Sequence, residues 1–118
     1  MEKGLITELK SRFDSMAHLD EESGIEFWYA RELQVALGYS EWRNFTKVIE
    51  KAKISCEIAT GLVPNHFVDV NKMVTLGSDS QRSIEDTKLT RYACYLIAQN
   101  GDPRKDEIAF AQSYFALQ

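Results

Sequence analysis

Apolar residues recur at helical spacing at the start of the chain and alternate with polar ones soon after it. The first segment places its apolar side chains three or four residues apart, at Leu5, Leu9, Phe13 and Met16. This spacing predicts an amphipathic helix. A polar break follows over residues 20–24, and the aromatic and branched residues of Ile25–Tyr29 then predict a short strand.

The next part of the chain predicts two helices joined by a tight turn. Residues 30–37 form the first helix, and Gly38-Tyr39-Ser40 supply the turn. Ser40 can cap the second helix with its hydroxyl, and Glu41 places a favourable negative charge in its first turn. That helix runs to about residue 59. This spacing is typical of a helix-turn-helix, whose second helix is the recognition helix.

The second half of the chain predicts a β-hairpin. Residues 66–70 and 72–76 are β-prone, residues 77–80 have turn chemistry, and residues 83–88 predict the returning strand.

The pattern then returns to helical spacing in the stretch Leu89–Gln99. Thr90 can cap this helix, and Gly101 can end it in a left-handed conformation. Asp102-Pro103 then caps and opens a last helix, because proline at the first helical position has no N–H to leave unpaired. We expect that helix to cover Pro103–Gln118 and to share one apolar side among its residues Ala109, Phe110, Tyr114 and Leu117.

These elements predict an α+β fold, a mostly helical single domain over residues 1–118 with a small hairpin or short antiparallel sheet. Residues 1–24 would be an N-terminal helix and acidic linker, and residues 25–118 the body. The last helical pattern has no cap after Leu117, so we expect a further C-terminal region in the full protein.

Composition is that of a globular chain, with 118 residues and 44% hydrophobic content. No apolar run approaches the ~20 residues that span a bilayer, and the N-terminus lacks a secretory signal. Cys56 and Cys94 form no CxxC pair and are interpreted as small buried hydrophobic residues in a reducing compartment. We therefore predict a cytoplasmic protein with no membrane partner.

The net charge of −4 argues against a general nucleic-acid coat protein. The acid excess is local, because residues 1–30 carry three basic and seven acidic groups whereas residues 31–61 carry five basic and four acidic groups. A modest basic surface can therefore persist in the middle of the chain.

The predicted helix from Glu41 to Ala59 carries such a surface. At ~100° per residue its apolar residues cluster on one side, and Arg43, Lys47 and Lys51 cluster on nearly the opposite side. Asn44 lies beside this basic stripe, while Glu50 borders its other edge. A helix that contacts phosphates needs an apolar side packed on the protein core and basic side chains that face solvent. A solvated face would show the same pattern.

The predicted hairpin supplies a second set of basic residues, namely Lys72, Arg82 near the tip, and Lys88. A hairpin beside a helix-turn-helix can act as a wing that touches the DNA backbone, or it can be a plain surface hairpin whose charges serve solubility. We interpret Arg91 as a structural partner of Asp86 or Glu85.

Aromatic residues are abundant and could stack on unpaired bases, although such side chains more often form the core. We expect Phe45 in the core and Trp42 partly exposed, because Trp42 falls between the apolar and acidic sides of its helix.

The sequence gives little support to catalysis. It has two histidines without metal-ligand spacing, no phosphate-binding glycine loop and no GxSxG motif. We therefore predict no enzymatic activity, no metal site and no cofactor.

Three blocks carry a resemblance to a known family. The first spans WYAREL at residues 28–33 with LGYS at 37–40, the second is Gly77-Ser78 with Arg82 and Asp86, and the third is LTRYACYLIAQNGDP at 89–103. Over residues 27–118 the chain resembles the N-terminal domain of the BRO family, and within it the DNA-damage-inducible group. The hairpin tip, Asp79-Ser80-Gln81, is less basic than the family pattern.

This resemblance implies a non-enzymatic DNA-binding module of the bacterial DNA-damage (SOS) response. The alternative is an antirepressor-type interaction domain that acts on a DNA-bound recombination or repressor protein, using the aromatic surface and the acidic first helix. Single- and double-stranded DNA are both open as targets, and so is self-association. The candidate DNA contacts are Arg31, Arg43, Asn44, Lys47, Lys51, Lys72, Arg82 and Lys88.

Overall fold

The structure, a computed structural model, describes residues 1–117 and has the predicted α+β architecture. Six helices and one four-stranded antiparallel sheet make up this part of the chain. In chain order the elements are α1 (Lys3–Met16), β1 (His18–Leu19), β2 (Glu26–Tyr29), α2 (Ala30–Ala36), α3 (Trp42–Thr60), α4 (Val63–His66), β3 (Phe67–Thr75), β4 (Gln81–Leu89), α5 (Arg91–Gln99) and α6 (Asp106–Ala116).

The sheet has the strand order β1-β2-β4-β3, so the hairpin of β3 and β4 joins the short strand that precedes α2. Phe67 pairs with Leu89, and Leu89 pairs on its other side with Trp28. These three side chains are buried and face the helices. Residues one position along each strand therefore point to the opposite face of the sheet.

The hairpin was predicted in outline, but its strands are longer and more regular than the sequence indicated. β3 is one continuous nine-residue strand rather than two segments, and β4 begins two residues before Ser83. The two-residue β1 and the one-turn α4 were not predicted. Short elements of this kind are held by their neighbours, so local sequence carries little signal for them.

The first helix is part of the core, with Leu9 and Phe13 buried. The Phe13 ring lies 5.4–5.8 Å from three rings of α6, those of Phe110, Tyr114 and Phe115. The predicted acidic character of this helix is wrong. Residues 3–16 hold three basic and two acidic groups, and the acid excess lies largely in the turn at residues 20–22.

A hydrogen bond also joins the first helix to the last. The Tyr114 hydroxyl donates to Asp14 Oδ1 at 2.6 Å. Burial, together with this bond to a carboxylate, raises the pKa of Tyr114 to about 12. The same bond, with a smaller effect from Lys10, lowers the pKa of Asp14. The pair therefore favours the neutral phenol beside the charged carboxylate.

The start of α5 is as predicted, because Thr90 Oγ1 accepts a hydrogen bond from the Ala93 N–H at 3.2 Å. Its end is not. Gly101 is not in the left-handed region, which in residues 1–117 holds Gly24, Gly38, Gly61 and Asp79. A Cβ on Gly101 would lie 2.8 Å from Ile108 Cγ2, so glycine is required there by the close approach of α6.

The predicted start of the last helix is also wrong. Asp102 Oδ1 accepts from the Arg104 N–H at 3.0 Å and so closes a turn, and α6 begins only at Asp106. Its buried residues are Ile108, Ala111 and Phe115, whereas Leu117 is 70% exposed. The prediction for Gln118 lies outside the described residues.

Both cysteines are buried and unpaired, as predicted. Burial raises the pKa of the Cys94 thiol well above its usual range. No helix in residues 1–117 is long and apolar enough to cross a membrane.

Candidate nucleic-acid interface

Helix α3 has one buried apolar side and one exposed basic side. Its buried residues are Phe45, Ile49, Ala52 and Cys56, and Phe45 is fully buried as predicted. Arg43, Lys47 and Lys51, here called the α3 stripe, are exposed. No ion pair within 4 Å in residues 1–117 involves any of the three. Their charge is therefore available to an external ligand.

The start of this helix differs from the prediction. Glu41 is the N-cap residue, and its side chain makes no capping hydrogen bond. Neither Ser40 nor Glu41 therefore caps the helix with a side chain. The end is regular, since Gly61 has a φ of +68° and its N–H donates to Glu57 O.

The exposed side of α3 changes character towards its C-terminus. At ~100° per residue, Ile54 and Ile58 continue the line of Lys47 and Lys51. Ile54 is 60% exposed and Ile58 is 82% exposed. The same helix face is thus basic in its first half and apolar in its second.

The turn between α2 and α3 is held by several contacts. Gly38 has a φ of +82°, and Gln34 Nε2 donates to Tyr39 O at 2.9 Å. Arg31 lies with its guanidinium 4.1 Å from the centre of the half-buried Trp42 ring and donates from Nε to Glu85 O at 2.6 Å. Arg31 therefore ties α2 to both α3 and β4.

The register of the hairpin places all three of its candidate cations on one face. Val68 pairs with Lys88, Lys72 with Ile84, and Val74 with Arg82, so successive pairs are four and then two residues apart along the strands. Directly paired residues share a face, and residues two apart on a strand do as well. This face is the one turned away from Trp28 and Leu89.

The three hairpin cations differ in their surroundings. Lys72 Nζ lies 2.9 Å from Asp86 Oδ2 and 3.3 Å from the centre of the Tyr29 ring. Lys88 Nζ lies 4.8 Å from the centre of the Phe27 ring. Arg82 is exposed near the hairpin tip. Arg82 is thus the hairpin cation with the freest charge, whereas Lys72 is part of a structural pair.

The buried carboxylate of Asp86 organises this region. Its Oδ1 accepts from the N–H groups of Arg31 at 3.0 Å and Thr87 at 2.8 Å. Its Oδ2 is compensated by the ion pair with Lys72 rather than by a directed hydrogen bond. The sequence predicts Asp86 as a partner of Arg91 and includes it in the second block of the family resemblance. It does not predict the buried position, because a buried carboxylate in a strand has no local signature.

The predicted pairing of Arg91 with Asp86 or Glu85 is wrong. Arg91 Nε donates to Glu26 Oε1 at 3.0 Å, and its Nη1 donates to Tyr114 O and Leu117 O at 2.9 Å each. Arg91 is structural, as expected, but it closes the end of α6 against β2. Arg91 and Glu26 are sixty-five positions apart in the chain, so sequence spacing could not reveal their pairing.

A cleft of about 370 Å³ separates α3 from the hairpin. Its lining includes the acidic residues Glu50, Asp69 and Glu85, with Lys53 as the one lysine. Lys53 pairs with Glu50 at 3.5 Å. A phosphate is disfavoured in this cleft, so the α3 stripe and the hairpin cations are two separate basic surfaces. No group of three or more His, Cys, Asp or Glu in residues 1–117 is placed to hold a metal ion.

The sequence that forms these helices and this hairpin matches a known family of domains. The family model for the BRO family N-terminal domain matches residues 16–116, and the chain is a member of that family. The match begins at Met16, the last residue of α1, so nearly all of α1 lies outside it. Leu9 and Phe13 of α1 are nevertheless part of the core.

The chain is also similar to a known protein. It is 48% identical over 96 residues to DNA damage-inducible protein D of Escherichia coli (strain K12). The aligned region covers 81% of this chain and 35% of that relative. The chain thus spans about a third of that protein's length. No solved structure matches the chain.

Proposed function

We propose that this domain binds DNA as a module of a bacterial DNA-damage response protein, with α3 as the element that meets the DNA. The observation that carries the proposal is the α3 stripe, Arg43, Lys47 and Lys51, which is exposed, forms no ion pair within residues 1–117 and lies on a helix whose other side is buried. Cations in this state gain affinity by displacing counterions from phosphates. Membership of the BRO family and similarity to a damage-inducible protein support the same conclusion.

In this proposal α2 and α3 act as a helix-turn-helix, with the first turn of α3 nearest the base edges. Residues at the start of a recognition helix contact bases while others hold the backbone. Arg43 and Asn44 lie in that turn. Arginine suits guanine and asparagine suits adenine in the major groove. Lys47 and Lys51 would then bind phosphates further along the helix.

The remaining candidate residues take different parts. Arg82, exposed near the hairpin tip, is proposed as a backbone contact of the wing type. Arg31 and Lys72 are proposed to act chiefly by positioning, since both are held by Asp86 or its neighbour Glu85. Lys88, beside the Phe27 ring, is not among the proposed duplex contacts.

The salt dependence of binding tests this proposal. Three phosphate contacts, from Lys47, Lys51 and Arg82, predict a slope of about −2.7 in a plot of log affinity against log salt concentration. Affinity for a duplex should therefore fall roughly 40-fold between 50 and 200 mM salt. Fluorescence anisotropy with a labelled duplex measures it, and affinity that is independent of salt would contradict the proposal.

The role of the whole protein extends beyond this chain, because the chain covers 35% of its relative. We propose a cytoplasmic, non-enzymatic role in the SOS response, with DNA or a recombination or repressor protein assembled on DNA as the target. The α3 stripe offers cations, and the hairpin cations Lys72 and Lys88 lie beside aromatic rings; these are groups for binding rather than for bond cleavage.

A second candidate function is docking of a protein on α3. The observation that favours it is the exposed apolar pair Ile54 and Ile58, directly after the basic stripe. A pull-down from nuclease-treated extract separates the two functions. A partner that is retained without nucleic acid and lost in Ile58→Asp supports docking, and retention that depends on nucleic acid contradicts it.

A further inference from the structure

The outer face of the sheet carries a second concentration of groups that suit nucleic acid. His18 pairs with Phe27 across β1 and β2, and Tyr29 pairs with Lys88 across β2 and β4, so their side chains share the face of Lys72. We call His18, Phe27, Tyr29, Lys72 and Lys88 the basic–aromatic surface. The residues of this surface are all partly exposed.

The rings of this surface are held in fixed positions. The His18 ring stacks on Phe27 with centres 5.4 Å apart and an angle of 22°, and Phe27 meets Tyr29 edge-to-face at 5.2 Å. His18 Nε2 lies 2.8 Å from Glu32 Oε1, which fixes the imidazole against α2. A pre-ordered set of rings loses little conformational entropy when a further ring stacks against it.

A cleft opens beside these rings. It has a volume of about 160 Å³ and lies between the β1–β2 turn and the start of β3. Phe27, Ile25 and Val68 form apolar walls, and Lys88 lies at the rim. This volume is below the ~300–1,000 Å³ of sites for drug-sized ligands. It is therefore suited to one planar ring system.

Polar groups at the cleft can contact the edge of such a ring. Asn65 lines the cleft and has both donors and acceptors in its amide. Asp20, which accepts from Ser23 Oγ at 2.8 Å, offers an acceptor for an amino group. Glu26, the other carboxylate in the lining, is neutralised by Arg91. The site thus combines an aromatic wall, edge contacts and a cation.

The cations continue from this cleft along the hairpin. Lys88 and Arg82 lie six residues apart on one face of β4, which is about 20 Å along a strand. Lys72 lies on the same face of β3. Single-stranded sites on proteins combine such a basic track with rings on which bases stack.

We infer that the basic–aromatic surface binds single-stranded DNA, with one unpaired base inserted in the cleft against Phe27 and the following phosphates held by Lys88 and Arg82. A paired base cannot enter the cleft, because both of its faces are covered within a duplex. This inference rests on the proposed function, but it uses a surface separate from the α3 stripe.

The experiment compares single-stranded and duplex DNA on the same variants by fluorescence anisotropy at low salt. Phe27→Leu keeps an apolar side chain but removes the ring, and should weaken single-strand binding about 5- to 150-fold. Phe27→Tyr keeps the ring and should restore it. Lys88→Gln should reduce the single-strand salt slope by about 0.7. Lys3→Gln on α1 is the matched control for the charge and should change neither quantity.

The outcomes separate this inference from the proposed function. Salt-dependent duplex binding, with single-strand affinity unchanged in Phe27→Leu, overturns the inference and leaves the α3 assignment intact. Equal losses on both DNA forms overturn the assignment of the cleft to an unpaired base. Failure of the wild-type chain to bind either form at low salt overturns both. Thermal melting of Phe27→Leu confirms that the variant is folded.

Discussion

The double variant Lys47→Glu/Lys51→Glu is expected to lose duplex binding, with a fall in affinity on the order of 100-fold or more at 50 mM salt. Two phosphate contacts disappear, and two new carboxylates are placed against the DNA backbone. Both side chains are exposed, and neither takes part in an ion pair within residues 1–117. The fold should therefore tolerate the change. Surface substitutions of this kind usually change stability by less than ~0.5 kcal/mol.

A control variant is needed because charge reversal also changes the field of the whole molecule. Lys3→Glu/Lys10→Glu on α1 alters the net charge by the same amount, from −4 to −8. If binding depends on the α3 stripe, the control keeps most of its affinity and its salt slope. Equal losses in the two variants would show that net charge rather than the stripe governs binding, and would remove α3 from the interface.

The milder pair Lys47→Ala/Lys51→Ala refines this result. Loss of two phosphate contacts should reduce the steepness of the salt slope by about 1.8.

Substitution of Asn44 should leave the salt slope unchanged and alter the preference among DNA sequences, since base contacts give specificity while phosphate contacts position the protein. An Asn44→Ala variant that binds all duplexes like the wild type would exclude Asn44 as a base contact.

Removal of the buried carboxylate in Asp86→Ala is expected to lower the free energy of unfolding by about 3–5 kcal/mol. The side chain of Asp86 is fully buried and holds the Arg31 and Thr87 N–H groups together with Lys72 Nζ. Alanine leaves these donors and the lysine without a partner. The whole stability of a domain is about 5–15 kcal/mol, so the variant should be close to unfolding.

Denaturant titration of three variants separates the parts of this effect. Asp86→Asn keeps an acceptor for the backbone donors and should lose less than alanine. Lys72→Met leaves the carboxylate without its cation and should be destabilised, whatever its effect on DNA. An Asp86→Ala protein with a midpoint and slope like the wild type would show that the carboxylate does not organise the hairpin.

The surroundings of the hairpin cations are not predictable from the sequence. The sequence predicts Lys72, Arg82 and Lys88 as the basic groups of the hairpin, with Arg82 near its tip. The structure gives Lys72 to Asp86 and leaves Arg82 exposed. The sequence could not reveal this difference, because the pairing of Lys72 with Asp86 depends on a register between two strands.

The helices could be predicted with more success than their ends. The amphipathic spacing of α1, α3 and α5 is local, and the Thr90 cap lies within three residues of its partner. The predicted roles of Gly101 and Asp102 are wrong. Glycine is required at position 101 because Ile108 of α6 lies close to it, and the Asp102 carboxylate closes a turn with the Arg104 N–H instead of capping a helix. The first contact depends on how α6 packs against α5, and the second is a local turn that competes with a helix cap.

The five longer helices, the hairpin and the basic side of α3 can be predicted from the sequence alone, because each depends on residues within a few positions of one another. The family can be identified from sequence blocks spread along the chain. Only the packed fold shows which cations are free, how Arg91 is paired, and that rings from β1 and β2 meet lysines from the hairpin. Those arrangements join residues from fourteen to sixty-five positions apart. They depend on strand register and helix packing, which no single segment encodes.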